Sequence, residues 1–64
     1  MIEIARISTI GTANRRDIVR RLMEASDFFK RISFADAIKA YRFAECNNLV
    51  VRGYGYLAVY HICD

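Results

Sequence analysis

The stretch from Leu49 to Ile62 sets the tightest condition on the fold. Two β-rich runs, Leu49-Val50-Val51-Arg52 and Tyr56 to Ile62, flank Gly53-Tyr54-Gly55. β-Branched and aromatic side chains on either side of a glycine turn predict an antiparallel hairpin. In the second run Tyr56, Ala58, Tyr60 and Ile62 alternate with Leu57, Val59 and His61, so neither face is polar. A strand apolar on both faces is covered twice or meets a partner. With 64 residues the chain has little material for two covering layers, because a domain of this size buries only about 60% of the surface its unfolded form exposes. Yet 55% of its residues are apolar, more than the ~45–50% usual for soluble domains. A multi-domain enzyme, an intrinsically disordered chain and a low-complexity chain are all excluded, and residues 1–64 read as one domain.

Ahead of the hairpin the periodicities change twice. Residues 2–8 are β-branched and short in period, which predicts a strand, and residues 9–13 read as a turn. Asn14 followed by Asp17 has the form of a capping box, with the acid in the first turn where the helix dipole favours it. Ile18, Leu22, Ala25 and Phe29 then repeat at helical spacing, with Val19 and Met23 beside them. A break is expected near residues 27–30. Ser33 and Asp36 form a second box, ahead of the apolar face Phe34, Ala37, Ile38, Tyr41 and Ala44. Phe43 falls off that face, at the edge of the core or in solvent. Asn47-Asn48 ends the helix, since Asn tolerates the left-handed conformation of a C-terminal cap. The expected fold is α+β, order β-α-α-β-β, with two helices packed on a small antiparallel sheet that ends in the hairpin.

Ten Arg and Lys against seven Asp and Glu give +3. The excess lies in residues 12–31, where Arg15, Arg16, Arg20, Arg21, Lys30 and Arg31 meet only Asp17, Glu24 and Asp27. Eight of the ten cations are arginine, which suits bidentate contact with phosphate or carboxylate. Arg15, Arg16, Arg20 and Arg21 are expected to form a basic strip along the first helix, available to successive phosphates. The competing reading is a solvated face neutralised by Asp17 and Glu24. Arg52 with Tyr54 at the hairpin tip, and Phe43 on the second helix, complete the candidate contact residues.

Catalysis is the least supported function. His61 is the only histidine, it sits in an apolar run, and no nearby Ser, Cys or acid pattern gives it a partner. Cys46 and Cys63 lack any metal spacing and read as buried reduced thiols, so no disulfide, metal or cofactor is expected. Gly53-Tyr54-Gly55 lacks the lysine and following helix of a phosphate-binding loop. The longest apolar run, Tyr56 to Tyr60, is far shorter than the ~18 residues of a membrane span. The amino terminus lacks the basic start and apolar run of a signal peptide, so a cytoplasmic location without a membrane partner is expected.

The helix from Phe34 to Tyr41, the exit Asn48-Leu49-Val50-Val51-Arg52 and the Gly-Tyr-Gly tip before Tyr56-Leu57-Ala58-Val59 resemble the end of a winged helix-turn-helix domain. That resemblance spans residues 33–62. It implies Lys39 and Arg42 turned towards DNA and Arg52 and Tyr54 on a wing. In size the chain is also similar in style to small accessory proteins of phages and plasmids, which include DNA-binding regulators and anti-CRISPR inhibitors. The first functional expectation is a non-enzymatic regulator that holds a polyanionic partner, whether DNA, RNA or nucleoprotein. The second is a phage-type inhibitor whose apolar surfaces and Phe43 dock on a host protein with an acidic patch. Self-association as a homodimer is the third.

Overall fold

A computed structural model describes residues 1–62. The fold is α+β: strand β1 (Ile2–Ser8), helices α1 (Arg15–Ala25), α2 (Asp27–Lys30) and α3 (Phe34–Cys46), and strands β2 (Val50–Gly53) and β3 (Tyr56–His61). The strands form one antiparallel sheet in the order β1-β3-β2. The hairpin strand that is apolar on both faces is therefore the central strand. Among the described residues no helix is long and apolar enough to cross a membrane.

The helical layer covers one face of that sheet. Leu57 and Val59 of β3, with Ala5 and Ile7 of β1, meet Val19 and Leu22 of α1, Phe29 of α2, and Ala37, Tyr41 and Ala44 of α3 in one buried cluster. Among the described residues no second layer covers the other face. Ala58 lies there between Arg6 and Val51 in register and between Tyr56 and Tyr60 along its own strand, yet is fully buried. A small residue on the central strand is thus covered by its long neighbours, which resolves the shortage of covering material.

Local chemistry sets the element boundaries. Asn14 accepts from the Asp17 backbone N–H at 3.1 Å while an Asp17 carboxylate oxygen accepts from the Ala13 N–H at 2.9 Å, so orphan donors at the start of α1 are satisfied. Ser33 caps α3 through the Asp36 N–H at 3.2 Å. Asn48, just past the helix, has φ 57°. The interval expected as a break, residues 27–30, is instead a helical turn. Its cause is Ser26, whose N–H still bonds the Leu22 carbonyl of α1, while its hydroxyl oxygen faces the Phe29 N–H of α2. The same hydroxyl donates to the Ile4 carbonyl at 2.8 Å, tying the helical layer to β1.

A register shift between Glu3 and Ala5 sends Ala5 and Ile7 into the core and leaves Ile4 half-buried. Arg21 donates to the Ser8 carbonyl at 2.8 Å. With Ser26 on Ile4, side chains of the helical layer thereby cover carbonyls of edge strand β1, a means of discouraging strand addition. Cys46 is exposed rather than buried, because it ends α3 on the side away from Ala37, Tyr41 and Ala44. The expectation for Cys63 lies outside the described residues.

Candidate binding surfaces

The four arginines of α1 follow three separate courses. Arg15, at the first helical position, donates through Nε to a Glu45 carboxylate oxygen at 2.9 Å. Glu45 lies in the last turn of α3, and its other oxygen is 3.6 Å from Arg52 of β2. Arg52 also donates to the Tyr41 hydroxyl at 3.0 Å. Two guanidinium groups from elements remote in sequence are thus held on one carboxylate, beside a cavity of about 360 Å³ lined also by Thr12, Ala13 and Asn14. Burial pushes the Tyr41 phenol above its ordinary range, with the nearby Arg52 charge opposing that shift.

Arg16 and Arg20 take the second course. Their guanidinium carbons lie 5.4 and 5.2 Å from the centroid of the Phe34 ring, a cation–π arrangement worth ~0.5–1 kcal/mol at an exposed site. Arg20 is also 3.7 Å from Asp17. Arg15 thus reaches the last turn of α3, and Arg16 and Arg20 reach its first residue. Arg21 takes the third course, back to the carbonyl at the end of β1. The expected strip is therefore one paired arginine, one aromatic-bound pair and one backbone clamp.

The cations left without an acidic or hydrogen-bonding partner among the described residues are Arg16, Lys30, Arg31, Lys39 and Arg42, all exposed. Each belongs to the helical layer. The sheet's own cations are engaged: Arg6 holds Glu3 at 2.7 Å, lowering the Glu3 pKa through that hydrogen bond, and Arg52 holds Glu45. Lys39 and Arg42, which only the winged-helix resemblance singled out, thus belong to the uncommitted set. Arg52 and Tyr54 line a shallow depression at the hairpin tip, where Tyr54 is fully exposed.

Phe43 belongs to a different surface. It is 64% exposed, and with Phe28, 46% exposed, it borders an almost wholly apolar groove of about 230 Å³. Phe29, Leu49, Tyr60 and His61 are among the other side chains of its wall, with aliphatic neighbours such as Ile4 and Val59. Phe28 is braced by Phe29, their rings edge to face with centroids 5.2 Å apart. Sequence reasoning missed Phe28, Tyr60 and His61 here. The adjacent Phe28-Phe29 pair was the available signal, since a helical turn that buries one of two neighbours turns the other outward. No acid, thiol or serine among the described residues lines this groove. Among the described residues no three His, Cys, Asp or Glu side chains converge on a metal position. Comparison with models of known protein families, with curated protein sequences and with solved structures finds no match to this chain.

Proposed function

We propose that this chain is a non-enzymatic binding protein that engages a polyanionic partner, DNA, RNA or a nucleoprotein, through the outer surface of its helical layer. The observation that carries this reading is the set of five uncommitted cations, Arg16, Lys30, Arg31, Lys39 and Arg42, confined to that layer. Exposed cations with no acidic partner keep their full charge for a ligand. A row of phosphates meeting them releases its condensed counterions, which drives binding at low salt. Three of the five are arginines, whose forked donors match phosphate oxygens. The uncommitted acids Glu24, Asp27 and Asp36 reduce the field of this layer without reversing its sign.

Retention on immobilised DNA and RNA across salt tests the reading. With four or five phosphates engaged, affinity is expected to fall about 10²-fold or more between ~50 and ~200 mM salt. The paired substitution Lys39→Glu with Arg42→Glu touches no observed ion pair or ring contact and should flatten that dependence while leaving the melting temperature in place. Absence of retention on either polymer at ~50 mM salt sinks the proposal.

A further inference from the structure

We infer that the groove between Phe28 and Phe43 receives an unstacked nucleobase, which makes the polyanion a single-stranded nucleic acid. The inference rests on the polyanion reading and narrows it. Half of the chain's Phe and Tyr residues, Phe28, Phe29, Phe43 and Tyr60, line this one groove together with the only histidine. Two of those rings stand out in solvent from separate helices, against the usual cost of exposing so much apolar surface. Aromatic faces that border a slot are the means by which proteins hold splayed bases, because every base has a π-face to stack.

Charge selects among possible occupants. Lys39 lies one helical turn before Phe43 on the same row of α3, and Arg31 follows Phe28 by three positions. From α2 through Phe43 the cations Lys30, Arg31, Lys39 and Arg42 outnumber the acids Asp27 and Asp36. A second copy of the chain would bring this net positive segment against itself. A bare apolar anchor from a protein would leave the cations unused. A nucleotide satisfies both features, its base in the slot and its phosphates on the cations that neighbour Phe28 and Phe43 along α2 and α3. The groove, at about 230 Å³, has room for one base and none for a duplex, whose bases are already stacked and covered.

The test is fluorescence anisotropy of the full chain with three labelled probes of about ten nucleotides: oligo-dT, an abasic strand of the same length, and a duplex. At low salt oligo-dT should bind about tenfold more tightly than the abasic strand, the worth of one stacked base. Phe43→Ala and Phe28→Ala should erase that advantage yet keep the salt dependence. Phe43 is exposed enough for its truncation to leave the fold intact, checked by an unchanged melting curve. Equal binding of oligo-dT and the abasic strand overturns the base pocket and leaves the polyanion reading standing. No binding of any probe overturns both. Binding of a Glu-, Leu- and Phe-containing peptide that is lost in Phe43→Ala, with oligo-dT and the abasic strand indistinguishable, overturns the inference in favour of a protein-docking groove.

Discussion

The Tyr56 ring lies across Gly53, its cross-strand partner, in the space that a Gly53 side chain would fill. Arg6 reaches the same ring from β1, its guanidinium carbon 4.9 Å from the centroid. The glycine is therefore required for room: its φ lies outside the left-handed region, in contrast to Gly55 at +74°. Gly53→Ala forces a methyl group into the ring, and displacing it should cost about 1–3 kcal/mol. For a domain of this size each 1 kcal/mol lowers the melting temperature by about 4–8 °C. In a Tyr56→Ala background the same substitution should cost little. Equal losses in both backgrounds would show that the ring is not what excludes the methyl group.

Ser26, itself buried, joins three elements through one hydroxyl and one N–H. Ser26→Ala removes a helix cap and leaves the Ile4 carbonyl without its donor. Loss of a cap is worth ~0.5–2 kcal/mol and loss of the hydrogen bond to the half-buried Ile4 carbonyl ~0.5–1.5 kcal/mol. Hydrogen exchange should then accelerate first in α2 and at the start of β1, ahead of β3. Uniform acceleration through the chain would argue against a local hinge at this residue.

The contrast between Ser26 and the other two caps marks what the sequence discloses. Asn14 and Ser33 each precede an acid by three residues, and both helix starts are legible from that spacing alone. At Ser26 the third residue on is Phe29, buried in the core, so the box pattern is missing and the cap depends on a carbonyl from β1. The hairpin is legible because its turn and strands are local. The fate of the arginines is not, because Arg15 finds Glu45 thirty positions away and Arg16 finds Phe34 on another helix. Helical spacing shows which way a guanidinium leaves α1 but not which acid or ring the fold brings beneath it. Phe43 and Phe28 illustrate the same limit: Phe43 reads singly as an off-pattern aromatic and Phe28 does not stand out, and only the tertiary fold makes them border one groove.

Glu45 holds Arg15 and Arg52 at a partly exposed site, where such pairs contribute only ~0–1 kcal/mol. Glu45→Gln should thus leave stability nearly unchanged while freeing two guanidinium groups. Under the polyanion reading, affinity for DNA or RNA should rise and the salt dependence should steepen, by up to about one unit of slope for each arginine that engages a phosphate. An unchanged salt dependence, with the fold intact, would confine Arg15 and Arg52 to a structural role.

Tyr41 supplies a pH test of the core. Its phenol is fully buried and hydrogen-bonded to Arg52, and burial raises its pKa above the ordinary value near 10. In the unfolded chain the phenol ionises at its ordinary pKa, so between the two values the folded state binds more protons than the unfolded one. The contribution of this group to stability is therefore fully present below about pH 10 and is lost as pH rises through the raised folded value, with a slope of up to ~1.4 kcal/mol per pH unit. Tyr41→Phe loses the hydrogen bond to Arg52, which is worth ~0.5–1.5 kcal/mol at neutral pH, but has no proton to release. Urea midpoints measured from about pH 8 to pH 11.5 should fall more steeply in the native chain than in Tyr41→Phe, because the two chains differ in this one phenol alone. Parallel curves would mean that Tyr41 ionises as readily in the folded chain as in the unfolded one.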